Sequence, residues 1–133
     1  VWAMINGEEK SGLTFFYLEE GVDNGDIISQ KEISIEESDY ISDLIDKTTT
    51  AALEIIDESI PLPAGNKAPR IRQDESLATY VPQRKPEDGK IDWSWDARRI
   101  KNFIRAQSKP YPGAFTEING KKVTIWNADI TEL

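Results

Sequence analysis

The stretch Glu19-Glu20-Gly21-Val22-Asp23-Asn24-Gly25-Asp26 sets two carboxylates, Asp23 and Asp26, on either side of an Asn-Gly pair, with apolar runs on both flanks. Two readings fit this pattern. Asn-Gly between strands is a strong hairpin signal and flanking aspartates are good turn formers, so both acids can be turn residues. Yet "VDNGDII" leaves little polar padding. A carboxylate held against apolar strands is drawn toward partial burial, a perturbed pKa and a role as general acid or base. The chain has no Cys and no His. Thiolate chemistry, His-based metal sites and His-centred triads are therefore excluded within it, leaving carboxylates, lysine, tyrosine and hydroxyls.

The loop has to be carried by its neighbours. Residues 11–20, "SGLTFFYLEE", form an apolar and aromatic run that suits a buried strand. Residues 25–35, "GDIISQKEISI", begin apolar and then alternate, with Gln30, Glu32 and Ser34 facing one way and Lys31, Ile33 and Ile35 the other. The two runs predict an antiparallel pair. Residues 37–60 predict a helix capped by Ser38 or Asp39, with Ile41, Leu44, Ile45, Thr48, Ala52, Ile55 and Ile56 on one face and Pro61 and Pro63 as stops. Residues 61–89 hold five of the seven prolines without a sustained period, as an extended linker would.

A second helix follows Trp93. Ser94 is its candidate N-cap, Ala97, Ile100, Phe103 and Ile104 form its apolar stripe, and Arg98, Arg99, Lys101 and Arg105 occupy the other faces. Residues 114–130 then read as a hairpin turning at Asn119-Gly120. The basic helix face offers phosphate contacts, but such residues more often solvate an amphipathic helix. Trp93, Trp95, Tyr111 and Phe115 could stack on bases; without an RNA-binding signature they are expected as core anchors. The Glu pairs at 8–9, 19–20 and 36–37 read as surface charge, since adjacent strand residues face opposite ways and cannot easily share an ion.

The 133 residues carry a net charge of −8, distributed unevenly. Residues 1–62 total −12, residues 63–88 total +1 and residues 89–133 total +3, so the charge steps at the proline-rich segment, as at a domain boundary. No apolar run reaches the length of a membrane span and no signal peptide is evident, so no membrane partner is expected, and the lack of cysteine fits a cytoplasmic setting. The start at Val1 and the end on "ITEL" are those expected of an interior piece of a longer protein.

"INGEEKSGLTFFYLEEGVDNGDIISQ" and "ATYVPQRKPEDGKIDWSWDARRIKNFIRAQSKPYPGAFTEINGKKVTIW" together resemble the second half of the folate-dependent formyltransferases. That family includes methionyl-tRNA formyltransferase and the formyltransferases of nucleotide-linked amino sugars. The most specific pieces are Gly12-Leu13-Thr14, the loop from Gly21 to Asp26, Asp92-Trp93, Arg105-Ala106 and the run from Pro110 to Phe115. The resemblance implies an α/β fold: the C-terminal portion of a Rossmann-like catalytic domain over residues 1–62, a linker over 63–88, and the start of a small β-rich, OB-like domain over 89–133.

The family's catalytic trio is an Asn and a His from an Asn-x-His motif and an Asp from an Asp-x-Gly loop. Only the Asp maps here, onto Asp23, with Gly25 as the loop glycine. The Asn, the His and the folate loop with its Leu-Leu-Pro pattern are expected to precede Val1, so these residues alone are expected to be inactive. The resemblance further implies that Glu20, Gly21, Val22, Asp23 and Gly25 line the site of 10-formyltetrahydrofolate, the formyl donor. Asp26 is expected to be a structural turn residue. No metal is implied. For the acceptor, the weak positive charge of residues 63–133 and the run "KPYPGAF" favour a nucleotide-linked amino sugar over tRNA. A formyltetrahydrofolate hydrolase and a non-catalytic accessory module are the other readings.

Overall fold

The computed structural model describes residues 1–61, 65 and 67–131. Pro63, expected to help stop the first long helix, and the first residues of the expected linker at 63, 64 and 66 lie outside the described residues. The chain forms two compact units: one of Ser11–Ser34 and Asp46–Tyr80, the other of Val1–Lys10, Ile35–Ile45 and the residues from Val81 onward.

In the first unit, β1 (Lys10–Phe16) and β2 (Ile27–Ser34) pair in a two-stranded sheet. The Tyr17 N–H donates to the Asp26 carbonyl (3.0 Å) and Gln30 Nε2 to Thr14 Oγ1 (3.0 Å), a spacing that runs antiparallel as expected. Ile33 and Ile35 are buried while Gln30, Glu32 and Ser34 are exposed, so the period-two pattern is realised over residues 30–35. Lys31, on the inner-facing register, reaches the carboxylates of Glu54 and Glu58.

The helix α2 spans Ile41–Ser59 and ends before Pro61. It starts later than a Ser38 or Asp39 cap would place it. The Asp43 carboxylate reaches back to the Tyr40 N–H (2.8 Å), filling one of the donors a helix start leaves unpaired, while the Asp39 carboxylate takes the Glu36 N–H (2.8 Å). The buried face is Ile41, Leu44, Ala51, Ile55 and Ser59. Ile45 and Ile56, expected on it, are 36% and 38% exposed, and Ala51 replaces Ala52. Each displaced residue lies one position from a buried one, about 100° around the helix, and a wide apolar stripe does not say which of its edges turns inward. Ile55→Ala is accordingly expected to cost about 2–5 kcal/mol and Ile45→Ala less than half of that, read from urea midpoints at constant m. Equal losses would contradict this orientation.

The segment expected to be an extended linker is tied down at Ile71. This residue exchanges both backbone hydrogen bonds with Ile27 (2.7 and 3.0 Å) in an isolated antiparallel bridge. A 3-10 turn, Glu75–Leu77, follows. Asp74 caps it by accepting from the Ser76 N–H (3.0 Å) and hydroxyl (2.6 Å), and these bonds hold its carboxyl below the usual range.

The second unit is built from α1 (Trp2–Ile5), α3 (Ala97–Gln107) and the hairpin β3 (Ala114–Ile118) and β4 (Lys121–Ile125). Its core is Ile91, Phe103, Ile104 and Ala114, flanked by Ile5, Trp95, Ile100, Ile125 and Ala128. Trp95 meets Phe103 edge-on at 5.0 Å. The hairpin turns as expected: Ile118 pairs with Lys121, and Asn119 and Gly120 both take positive φ (51° and 74°), as a two-residue type I′ loop demands. A Cβ on Gly113 (φ 89°) would meet Trp126 and Thr124, so the chain can pass there only without a side chain.

Three expectations for α3 change. The N-cap is Asp96, whose carboxylate accepts from the Arg99 N–H at 2.8 Å. Ser94 is unavailable because its N–H and hydroxyl both donate to Asp92 Oδ1 (2.9 and 2.7 Å), which holds the Asp92 carboxyl low. Ala97 is exposed, whereas Arg105, expected among the solvated basic residues, is buried.

Candidate active-site loop

The loop between β1 and β2 is held by its own Asn24 and by Arg70 and Gln73. Gly25 is buried against the Tyr17 carbonyl, where a Cβ would fall 1.6 Å from the oxygen, so no other residue fits. Gly21 takes φ 117° and Asp23 takes φ 55°, a left-handed conformation that Asp and Asn tolerate better than most residues. The Asn24 amide donates to the Glu20 carbonyl (2.9 Å), closing the first half of the loop. Arg70 ties both ends: its Nε donates to Asp26 Oδ2 (3.2 Å), its Nη2 to Glu19 Oε1 (3.1 Å), and its guanidinium lies 4.1 Å from the Tyr17 ring centroid. Gln73 Nε2 donates to the Asp23 and Gly25 carbonyls at 2.8 and 2.7 Å.

The Asp23 carboxylate takes no part in these contacts. It is exposed and has no hydrogen-bond or ion-pair partner among the described residues. The partly covered carboxylate of the pair is Asp26, held by Arg70. Glu20, Gly21, Val22 and Asp23 are all exposed, whereas Gly25 is buried against Tyr17. Beside them Leu18 and Val22 stand 93% and 88% exposed, an apolar border next to an unpaired carboxylate. Arg70 and Gln73, the residues that shape this loop, were missed by sequence reasoning. They lie 44 to 51 positions away in a segment without periodicity, and no local signal marks them.

The basic face of α3 is engaged within its own unit. Arg98 pairs with Glu37 (3.0 Å) and Lys101 with Asp129 (3.5 Å), while Arg99 lies 4.2 Å from the Trp95 ring centroid. Of the four aromatics expected as core anchors, Phe115 is buried and Trp95 partly so. Trp93 and Tyr111 are exposed, Trp93 because its indole N–H is drawn to Thr116 Oγ1 at 2.9 Å. Among the described residues no group of three acids could hold a metal ion, and no helix is long and apolar enough to cross a membrane.

The second unit also has a cavity of about 470 Å³ lined by Trp2, Val81, Pro82, Arg84, Gln107 and Tyr111, among others. Arg84 Nη2 donates to the Asp88 carbonyl (2.6 Å) and Gln107 Oε1 (2.7 Å), and its guanidinium lies 5.1 Å from the Trp2 ring and 5.3 Å from Phe103. Burial lowers the Arg84 pKa, with Asp88 opposing.

Residues 1–60 match the family described as Formyl transferase, and residues 84–133 match the one described as Formyl transferase, C-terminal domain. A methionyl-tRNA formyltransferase from Caldanaerobacter subterraneus subsp. tengcongensis is 40% identical over 98% of this chain and 42% of its own. The bifunctional polymyxin resistance protein ArnA of Wigglesworthia glossinidia brevipalpis is 38% identical over 98% of this chain and 20% of its own. This chain thus spans less than half the length of either relative. Among solved structures, an N-formyltransferase from Helicobacter canadensis, in complex with folinic acid and dTDP-3-aminofucose, shares the fold. Its TM-score is 0.77 at 24% identity, over 91% of this chain and 45% of that one. With residues 1–60 matching the one and residues 84–133 the other, the chain belongs to the formyl transferase family.

Proposed function

We propose that the full-length protein transfers a formyl group from 10-formyltetrahydrofolate to a primary amine, with Asp23 as a catalytic carboxylate. The observation that carries this is the Asp23 side chain: exposed and without a partner among the described residues, on a loop held by Asn24, Gln73 and, through Asp26, Arg70. A free carboxylate on a rigid loop is pre-organised to take a proton without first breaking a bond.

The donor supplies an electrophilic formyl carbon. Asp23 accepts a proton, directly or through one water, from the amine nitrogen as that nitrogen bonds to the formyl carbon. The same proton passes to the folate nitrogen as its bond to that carbon breaks. The loop surface suits the donor: exposed Leu18 and Val22 offer an apolar border to a flat ring. A structure of the same fold holding folinic acid and dTDP-3-aminofucose supports both a folate donor and a nucleotide-linked amino-sugar acceptor.

For the acceptor, charge favours the amino sugar. Residues 89–133 total only +3, and Arg98, Lys101 and Lys90 are already paired with Glu37, Asp129 and Glu117. A surface that tracks a phosphate backbone needs several free cations. Methionyl-tRNA is the second reading, favoured by the 40%-identical relative. The test is tetrahydrofolate release by the full-length protein, supplied in parallel with nucleotide-linked amino sugars and with charged initiator tRNA. Turnover with the sugars alone is expected. Turnover with tRNA alone would replace the acceptor, and release without any acceptor would make the protein a hydrolase.

A further inference from the structure

We propose that Gln73 is a positioning residue for Asp23, and that residues 70–73 are a strap that sets the loop's geometry; the inference rests on the reading of Asp23 as the catalytic carboxylate. A primary amide nitrogen has two hydrogens, and Gln73 spends both on the loop, one on the Asp23 carbonyl (2.8 Å) and one on the Gly25 carbonyl (2.7 Å). Carbonyls only accept, so the amide orientation is determined: the nitrogen must face them. The two bonds hold the peptide units that flank the Asn24-Gly25 pair, and so fix the left-handed backbone of Asp23 (φ 55°) from which its carboxylate projects.

The strap is anchored just before the contact. Ile71 exchanges two backbone bonds with Ile27 at the root of β2. Arg70 grips Glu19 and Asp26, the two ends of the same loop. Gln73 itself is partly buried while Ile71, Arg72 and Asp74 are exposed, so its side chain is turned onto the loop. The position of a catalytic group matters at the scale these bonds control, since a displacement of about 1 Å can cost about 100-fold in rate.

The experiment compares Gln73→Ala, Gln73→Glu and Asp23→Asn in the full-length protein. Gln73→Ala is expected to lower kcat by about 10- to 100-fold with little change in the acceptor KM. Hydrogen exchange should accelerate at the amides of residues 21–26 and remain unchanged in α3 and the β3–β4 hairpin. Gln73→Glu cannot donate when ionised, so near neutral pH it should be as slow as the Ala variant. Its rate relative to wild type should rise as pH falls toward the ordinary carboxyl pKa of about 4.3, because the protonated side chain regains one donor. A residue needed only for stability would not show that pH dependence.

If Asp23→Asn is inactive while Gln73→Ala keeps wild-type kcat, the positioning role is overturned and the Asp23 assignment stands. A fall in kcat with unchanged loop exchange also overturns it, since Gln73 would then act by another route. An active Asp23→Asn overturns the Asp23 assignment and, with it, the strap's role in catalysis.

Discussion

Replacing Asp23 by Asn in the full-length protein is expected to lower formyl transfer by about 10²- to 10⁴-fold, the range for loss of a positioned acid–base group. Folding should be nearly untouched. Asn is the best available replacement in the left-handed conformation Asp23 adopts (φ 55°), and the lost carboxylate has no partner among the described residues to strand. Asp26→Asn is the control. Its carboxylate belongs to the Arg70 ion pair, partly exposed at 3.2 Å, so removing its charge should cost at most about 1 kcal/mol of stability and far less activity. Steady-state rates and urea unfolding of the two variants side by side decide the matter. Comparable activity losses would mean the two aspartates act as a unit, and wild-type activity in Asp23→Asn would remove it from the mechanism.

The largest expected stability effect is at Arg105. Only 4% of this residue is exposed, and its Nη1 donates to the Glu36 carbonyl (2.8 Å) and the Asp39 carbonyl (2.9 Å), with its Nε on Asn102 Oδ1 (3.0 Å). Burial pushes its pKa down, and the carboxylates of Asp39 and Glu37 oppose the shift. An arginine starts so high that it stays charged throughout the working range. Arg105→Ala strands two carbonyls and leaves a void, and is expected to cost about 3–5 kcal/mol by guanidinium unfolding. Arg105→Met restores most of the volume without the donors. Recovery of wild-type stability in Arg105→Met would show that packing rather than hydrogen bonding is the role of this side chain. A loss below about 1 kcal/mol in Arg105→Ala would sink the assignment altogether.

The features legible in the sequence are those that depend on a few neighbouring residues. Asn119-Gly120 predicts its own turn because only residues tolerant of positive φ close a two-residue hairpin without strain. The alternation from Gln30 to Ile35 predicts its own faces because a strand reverses side-chain direction at every step. The α2 periodicity reveals a helix by the same logic, yet leaves the exposure of Ile45 and Ile56 undecided, since a stripe does not specify its own orientation. Arg105 shows the limit most clearly. On a helical wheel it sits among solvated cations, but two backbone carbonyls 66 and 69 positions away make its burial favourable. Ser94 and Asp96 both have cap-forming side chains, and the choice fell to Asp96 only because Asp92 captured Ser94.

The candidate site divides along the same line. From sequence alone came the loop, its glycines, two candidate carboxylates and a resemblance that singled out Asp23. Tertiary structure alone decided that Asp26 is spoken for by Arg70, that Asp23 has no partner among the described residues, and that Gln73 holds the backbone between them. The physical reason is range. Turn and strand preferences are energies of adjacent residues and can be read in place, whereas the pairing of a carboxylate depends on which distant side chain the folded backbone brings within about 3 Å.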